Sequence, residues 1–311
     1  MSNIGVFSKT VWALGDIHGN PRVIRDFYKA NEEEIDKYLI NYLILLGDAG
    51  INYYINERDE RMKKELCKYP FIYFCVRGNH EQRPSILMEE NPDEWHTEEM
   101  WGNTVYVENK YPNIKYALDT VAVYEIPYIL IPAELRDDDP VTGDIIWEDY
   151  MKTFKTLVIP GAYSIDKDWR KIQGWSWFEQ EQLSKEERTA GFKTIEATNL
   201  CVDVVLSHTC PFAYEPVDLF FPGMDQSKVD KTMEHYLDSI EGSISYKAWL
   251  WGHYHKFRDY QVGANGKKKL MLFNDYAVNL AEYVMHDKED EVTYPFYKRT
   301  DGYKMYTTMW K

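Results

Sequence analysis

A chain of 311 residues, with 44% apolar and 28% charged side chains, can bury a sizeable core in one large α/β domain or two small ones. Its net charge of -15 disfavours a long DNA or RNA duplex as a partner, because an acidic surface repels a polyanion. No apolar run reaches the ~18 residues that a bilayer span needs, and the 4 cysteines have no CxxC spacing. We therefore expect a soluble, cytoplasmic protein in a reducing compartment, without a membrane partner.

The first half of the chain alternates apolar strands with helices. Strands are predicted at 10–14, 42–46 and 71–76, and helices at 21–31, 32–38 and 56–68. This order is typical of parallel βαβ units, in which all strands point the same way. Their carboxyl ends should therefore meet at one edge of a sheet, where sites in open α/β sheets form.

The rest of the chain gives less regular signals. Residues 82–119 are rich in Glu, Pro, Asn and Trp, which predicts an irregular excursion with one strand at 104–107. A tight turn is expected at Pro127, and the run Lys267-Lys268-Lys269 is interpreted as a solvated hairpin tip after Gly263-Ala264-Asn265-Gly266. Helices are expected at 176–198 and 225–240, and strands at 121–125, 128–131, 156–159, 202–206, 248–251, 269–273 and within 291–310.

No composition break or low-complexity linker divides the chain. We interpret it as one domain, 1–311, with an insert at about 82–120 and an aromatic loop at about 211–224 near a functional site. Aromatic side chains of these two segments could stack a flat substrate group, or they could pack under their own loops. The candidates are Trp95, Trp101, Phe212, Tyr214 and Phe220.

Five apolar strands end in polar residues of a narrow chemical range. These strand ends are Asp16-x-His18, Asp48, Asn79-His80, His208 and His253-x-His255. A lone histidine at such a position is more often a hydrogen-bonded structural residue. However, the chain has 8 histidines and five of them stand in this set, which indicates a shared requirement.

A pair of metal ions needs this mixture of side chains. Imidazole suits zinc and iron, whereas carboxylate and amide oxygens suit manganese or magnesium, so a mixed set favours borderline divalent metals. Two cations about 3.5–4 Å apart also need a bridging anion, which a carboxylate supplies. Such a pair activates water and clamps the oxygens of a phosphoryl group, so the implied reaction is phosphoester hydrolysis.

The ordered motifs GDIHGN, GD, RGNHE, SHTCP and GHYH resemble the DxH, GD, GNH, H and GHxH pattern of the calcineurin-like metallophosphoesterase superfamily. The motif sequences GDIHG and RGNHE most resemble those of the serine/threonine phosphoprotein phosphatases and their bacterial and phage relatives. The resemblance implies an α/β fold, namely a four-layer α/β/β/α sandwich of two mixed sheets flanked by helices. It also implies a dinuclear metal site at the carboxyl ends of the strands, holding two divalent ions drawn from Mn, Fe and Zn.

The resemblance also implies a role for each motif residue. His80 would protonate the leaving oxygen, and Arg77 would clamp the phosphate. The metal ligands would be Asp16, His18 and His255 for one ion, Asn79, His208 and His253 for the other, and Asp48 between them.

Two departures from the family pattern concern the second motif, which reads Gly47-Asp48-Ala49-Gly50-Ile51. Ile51 stands where relatives usually carry the carboxylate that orients the catalytic histidine, and the second phosphate-binding arginine is missing. Substitute cations could be Arg136, Lys167 or Arg170, of which Arg170 is the best placed, although a surface salt bridge is the commoner role. The candidate substrate-binding residues are therefore Arg170, Tyr163, Phe212 and Tyr214.

The motifs leave three functional hypotheses open. The first is a phosphomonoesterase acting on a nucleotide, a small-molecule phosphate or a phosphoprotein. The second is a phosphodiesterase acting on a cyclic nucleotide or a nucleic acid, because one metal core serves both bond types. The third is a catalytically silent metal-binding scaffold, against which the complete ligand set and His80 argue. The native metal and the oligomeric state are left open.

Overall fold

The computed structural model describes residues 6–7, 11–33, 35, 40–131, 151–220, 225–260, 267–274, 276–285 and 297–298. The strands in these parts are β1 Val6–Phe7, β2 Val11–Leu14, β3 Asn41–Leu46, β4 Phe71–Val76, β5 Trp95–Met100, β6 Asn103–Glu108, β7 Ile114–Tyr116, β8 Ala122–Ile131, β9 Met151–Ile159, β10 Val204–Ser207, β11 Ala248–Trp251, β12 Arg258–Tyr260, β13 Lys268–Met271, β14 Tyr276–Asn279 and β15 Tyr297–Lys298. The α-helices are α1 Pro21–Asn31, α2 Glu57–Leu66, α3 Pro84–Glu90, α4 Lys167–Gln173, α5 Lys185–Glu196, α6 Thr232–Glu241 and α7 Leu280–Met285. Short 3-10 helices span Phe212–Tyr214, Val217–Leu219 and Gln226–Lys228.

These strands form two mixed sheets. One sheet has the order β15-β14-β2-β3-β4-β7-β6-β5, and the other has the order β1-β8-β9-β10-β11-β13-β12. Strands β2, β3 and β4 are parallel neighbours in the first sheet, and β9, β10 and β11 are parallel neighbours in the second. Each sheet therefore brings several strand carboxyl ends to one edge, which confirms the predicted α/β class.

The two sheets face each other across the main hydrophobic core. Ala13, Ile44 and Phe74 of the first sheet share this core with Leu206 and Leu250 of the second. A second cluster lies between the outer face of the first sheet and helices α1 and α2, and a third lies between the second sheet and helices α5 and α6. The layers are therefore α/β/β/α, as the family resemblance implies.

Helix α5 is shorter than the predicted 176–198. Its N-cap is Ser184, whose hydroxyl accepts the Glu187 N–H while the Glu187 carboxylate accepts the Ser184 N–H. This capping box satisfies backbone donors at the helix start and defines it there. Residues 176–184 are non-helical, so the prediction for that stretch is wrong. The predicted helix 225–240 likewise reduces to a 3-10 turn followed by α6.

The predicted irregular excursion at 82–119 is largely regular. It contains α3 and the strands β5, β6 and β7, which extend the first sheet. Strands β5 and β6 form a hairpin whose turn residues, Trp101 and Gly102, both have positive φ, 55° and 73°. That left-handed geometry suits a two-residue hairpin turn, but tryptophan is an unusual residue for it. Trp95 and Trp101 pack against Tyr116 and Phe74 inside the fold, so they do not overhang a site.

The tight turn predicted at Pro127 does not form. Strand β8 is continuous through this residue, and Pro127 lies opposite Thr153 in the antiparallel ladder with β9. On the other side, β1 pairs only with Leu130 and Ile131 among the described residues. A proline lacks the N–H donor, and it is tolerated where that side of the strand has no ladder to complete.

Two of the three consecutive lysines are buried. Lys268 and Lys269 lie in β13 and are each 5% exposed. The Lys268 ammonium donates to the carbonyls of Tyr283 and Val284, and the Lys269 ammonium lies 3.6 Å from a carboxylate oxygen of Glu241. The solvated-tip interpretation is therefore wrong for both, whereas the preceding residues 263–266 lie outside the described part.

Two further predictions fall mainly outside the described residues. These are the helix at 32–38 and the strand-like segment within 291–310, of which only β15 is described. Among the described helices, none combines the length and the apolar character that crossing a membrane requires.

Candidate metal centre

Both sheets deliver polar side chains to the same place. Strands β2, β3 and β4 of the first sheet are followed by Asp16 and His18, by Asp48, and by Asn79 and His80, respectively. Strands β10 and β11 of the second sheet are followed by His208 and by His253 and His255. The structure brings these side chains together at the carboxyl ends of the strands.

One part of the cluster consists of Asp16, His18 and His255. The Nε2 atoms of the two histidines are 2.6 Å apart, and the Asp16 Oδ2 atom lies 3.5 Å from His255 Nε2 and 3.8 Å from His18 Nε2. Such convergence of two imidazole nitrogens and one carboxylate oxygen fits the ligand set of a divalent cation.

The other part is centred on His208, which is fully buried. Its Nε2 atom is 2.8 Å from Asn79 Oδ1 and 3.5 Å from Asp48 Oδ2. Its Nδ1 atom is 2.8 Å from the Leu46 carbonyl, which can only accept, so Nδ1 carries a proton and Nε2 faces the cluster. The His253 ring lies beside it, with the ring centroids 5.0 Å apart.

Asp48 occupies the centre of the arrangement. Its carboxylate belongs to a group with His18 and His80 and to another with Asp16 and His208. It also accepts the backbone N–H of His80 at 3.0 Å. This position between the two sets suits a carboxylate that bridges two cations.

Three motif glycines are required by the close approach of the ligand side chains. A Cβ on Gly47 would lie 2.0 Å from His208 Nδ1, one on Gly78 would lie 2.0 Å from Asp48 Oδ1, and one on Gly252 would lie 2.1 Å from Asp16 Oδ1. No real side chain tolerates such distances. The ligands themselves also carry strain, because four of them have positive φ without being glycine, a feature that clusters at functional sites. These are His18, Asp48, His253 and His255.

Burial determines the electrostatics of the cluster. It lowers the pKa of His18, His253 and His255, which favours the neutral imidazoles that a metal ion needs, and it raises the pKa of Asp16 to about 8. Burial disfavours the charged imidazole of His208, but the neighbouring Asp48 and Asp16 carboxylates favour it more strongly. The pKa of His208 is therefore raised to about 9. A divalent cation binds deprotonated carboxylates and neutral imidazoles, so it would displace the protons held at Asp16 and His208, and this donor set fits a metal pair.

The Arg77 side chain is buried and donates hydrogen bonds inside the protein. It is 3% exposed, its Nη1 atom donates to the carbonyls of Gly78 and Glu181, and its Nε atom lies 3.4 Å from Asp119. None of these partners is a candidate metal ligand. The geometry therefore does not support the phosphate-clamping role expected for Arg77.

Arg170 is the cation that reaches the cluster. Its Nη2 atom lies 2.9 Å from Nε2 and 3.2 Å from Nδ1 of His80, and its Nη1 atom donates to the Tyr53 hydroxyl at 2.7 Å. Its Nε atom lies 2.8 Å from Asp166, and the side chain is 3% exposed, so it is no surface salt bridge. Burial, opposed by Asp48 and reinforced by Arg170, lowers the pKa of His80 to about 4.

The other candidate substrate-binding residues contact side chains that are not candidate metal ligands. Tyr163 packs under the Lys167 ammonium, 4.7 Å from the ring centroid. Phe212 packs against His235, with ring centroids 4.3 Å apart, and Tyr214 packs near Tyr260 and Lys269. From the same loop, Phe220 and Glu215 both contact the GHYH motif, because the Phe220 ring is stacked 5.9 Å from Tyr254 and the Tyr254 hydroxyl donates to Glu215 Oε1 at 3.2 Å. Arg136 lies outside the described residues.

Comparison with known proteins places the sequence motifs in context. The family model of the calcineurin-like phosphoesterases matches residues 9–257. No curated protein is a significant match to this chain.

Solved structures offer weak likenesses. The phosphopantetheinyl hydrolase of Mycobacterium tuberculosis is 12% identical with a TM-score of 0.40, over 94% of this chain and 96% of that one. The protein TT1561 of Thermus thermophilus is 11% identical with a TM-score of 0.44, over 89% and 95%. A putative 5'-nucleotidase from Staphylococcus aureus is 12% identical with a TM-score of 0.40, over 86% of this chain and 49% of that one. Scores this low carry no argument about substrate.

Proposed function

Because this chain belongs to the calcineurin-like phosphoesterase family, and is therefore a metal-dependent phosphoester hydrolase, we propose that it is a phosphomonoesterase. Its substrate would be a nucleotide, a small-molecule phosphate or a phosphoprotein. The observation that carries the choice of a monoester is the buried guanidinium of Arg170, 2.9 Å from His80 Nε2.

The proposed metal ligands divide as the motifs suggest, with Asp48 between the two sets. When bound, the two divalent ions generate a nucleophile from water near neutral pH and neutralise charge on the phosphoryl oxygens. The residues that would hold them are Asp16, His18 and His255 on one side, and Asn79, His208 and His253 on the other.

His80 is the proposed general acid. It lies in one group with His18 and Asp48 but next to Arg170, so it borders the ligand set on the side of the cation. A dianionic phosphoryl group beside it favours the charged imidazole, which is the form that gives a proton to the leaving oxygen.

Arg170 supplies the cation that the second motif lacks. A phosphoryl group within reach of His80 is also within reach of Arg170, since the two side chains touch. A terminal phosphate monoester carries up to two negative charges at pH 7, whereas a diester carries one, so an additional fixed cation favours the monoester. Asp166 and Tyr53 hold the guanidinium in place.

The test compares ester classes on one enzyme. Protein loaded with Mn²⁺ is assayed with p-nitrophenyl phosphate, bis-p-nitrophenyl phosphate, nucleoside monophosphates, cyclic nucleotides, a phosphopeptide and single-stranded DNA. We expect kcat/KM for the monoester to exceed that for the diester at least ~10-fold. Faster cleavage of the diester, of a cyclic nucleotide or of DNA would instead establish the phosphodiesterase alternative.

The Arg170→Met substitution tests whether the Arg170 guanidinium beside His80 favours a monoester. It removes the charge while keeping much of the volume, so kcat/KM for the monoester should fall about 100-fold and that for the diester clearly less, because a charged hydrogen bond is worth roughly 1.5–3 kcal/mol. Arg61→Met is the matched control, because Arg61 is 67% exposed on α2. An equal loss for both esters would argue that Arg170 only supports the fold.

A further inference from the structure

The metal-ligating role proposed for Asn79 depends on which end of its amide faces the cluster. Only the carbonyl oxygen Oδ1 can bind a cation, because the amide nitrogen has no lone pair to offer. The two ends are nearly the same size, so packing alone does not select one. In the structure Oδ1 lies 2.8 Å from His208 Nε2 and Nδ2 points to the opposite side.

Ser164 receives the nitrogen end of that amide. Asn79 Nδ2 donates to Ser164 Oγ at 2.8 Å, and both residues are buried, at 2% and 1% exposure. A flipped amide would place its oxygen against Ser164 and its NH₂ against His208, whose Nε2 must stay free for a metal. The hydroxyl of Ser164 therefore favours the orientation that presents Oδ1.

Glu181 fixes Ser164 in turn. Its Oε1 atom accepts the Ser164 backbone N–H at 3.1 Å, which holds the Ser164 backbone in place. With the Ser164 backbone held by Glu181, Ser164 Oγ stays in position to accept the Asn79 Nδ2–H. Trp177 Nε1 donates to the other carboxylate oxygen at 2.9 Å.

A second set of contacts ties the same segment to the strand end that carries Asn79. Arg77 Nη1 donates to the Glu181 carbonyl at 3.0 Å, and the Gly161 N–H donates to the Arg77 carbonyl at 2.9 Å. A Cβ on Gly161 would lie 2.5 Å from the Glu181 carbonyl oxygen, so this close contact requires glycine. Arg77 thereby ties the backbone after β4 to the backbone of this segment.

We propose that Ser164, held by Glu181, is a positioning residue that orients the Asn79 amide so that Oδ1 faces the second cation. The proposal rests on the ligand assignment made above. It gives residues 160–184, which follow β9, a function in metal binding. Outer hydrogen bonds of this kind contribute about 10- to 100-fold to metal affinity.

The experiment measures metal binding directly. Chelator-treated protein is titrated with Mn²⁺ alone in a calorimeter, and we expect two equivalents to bind to the unaltered chain. In Ser164→Ala the affinity for the second equivalent should fall about 10- to 100-fold while the first is unchanged. Ser164→Thr, which keeps the hydroxyl, should restore much of the loss, and Ser176→Ala is the control in the same segment.

A double-mutant cycle separates orientation from packing. In Asn79→Asp the two oxygens are equivalent and there is no amide to orient, so adding Ser164→Ala should cost much less affinity than it does with Asn79. Equal losses in both backgrounds, or unchanged affinity in Ser164→Ala, would overturn the proposal. Binding of fewer than two equivalents by the unaltered chain would instead contradict the dinuclear site itself.

Discussion

At the scale of single residues, His80 combines an unusual set of neighbours. Position 51, where the family resemblance leads one to expect a carboxylate, holds the fully buried Ile51, and the imidazole contacts Arg170 on one side and lies 3.6 Å from Asp48 on the other. Its ring is therefore held between a cation and the central carboxylate. Tyr53 completes this setting, with its ring centroid 6.0 Å from that of His80.

The substitution His80→Ala separates catalysis from metal binding. Loss of a general acid should lower kcat about 100- to 10,000-fold, and the protein should keep its two metal ions because all the proposed ligands remain. Turnover of p-nitrophenyl phosphate and metal analysis of the purified variant check both parts. His96→Ala is the control, since His96 is 43% exposed on β5. Unchanged turnover would remove His80 from the mechanism.

The clustering of the candidate ligand residues could be predicted from sequence, whereas the residues that support them could not. Asp16, Asp48 and His208 each follow an apolar strand, and parallel strands must end at one edge, so chain order alone implies proximity. Ser164 and Asp166 follow no such pattern. They reach the site because β9 is paired with β10, a long-range pairing that local sequence does not encode. Tyr53 follows the second motif, but nothing in its residue type indicates a contact with an arginine.

At the scale of elements, the turns after the strands matter more than the strands. The β4 turn can approach Asp48 only because residue 78 is glycine. Glu81 then joins this turn to the β3 turn by accepting the N–H groups of Gly78 and Gly50. Burial, together with Asp48, raises the pKa of the Glu81 carboxyl to about 7. The loops are thus fixed to each other before any cation is considered.

Gly78→Ala tests this interpretation of the turn. The added methyl would lie 2.0 Å from Asp48 Oδ1 and 2.5 Å from its backbone nitrogen, so the bridging carboxylate must move. We expect fewer than two metal equivalents in the titration and a lower Tm. Gly242→Ala is the matched control, because its nearest new contact is 3.7 Å away. Normal metal binding by Gly78→Ala would show that the turn adapts.

Element prediction succeeded where periodicity was unambiguous. Strand β4 and helix α1 have the predicted bounds, because one is an uninterrupted apolar run and the other begins with an Asn20 cap and Pro21. It failed at 176–184, where polar residues at helical spacing do not form a helix, and the capping box at Ser184 was the signal that located the true start. The β5–β6 hairpin was not predicted, because its turn contains Trp101 and tryptophan is not a residue type that indicates a hairpin turn.

At the scale of the molecule, the proposed metal ligands come from both sheets. A bound metal pair would therefore link the two halves of the sandwich, and its removal should destabilise the whole fold. For metal held at about 1,000 times its Kd, the linkage is worth about 4 kcal/mol, or roughly 6 °C in Tm for a chain of this size. Thermal unfolding before and after chelation measures this, and added Mn²⁺ should restore the Tm. An unchanged Tm would mean that no cation occupies the folded site.

The contact between His18 and His255 joins residues 237 positions apart in the chain. During synthesis, the first motifs leave the ribosome long before His253 and His255 exist, so an incomplete chain can offer only part of the candidate ligand set. Closing so long a loop carries a large entropic cost, which a cation bound by both ends offsets. Occupancy of this centre therefore reports that a chain has been made at least as far as His255, and products truncated before it should be released without their metals.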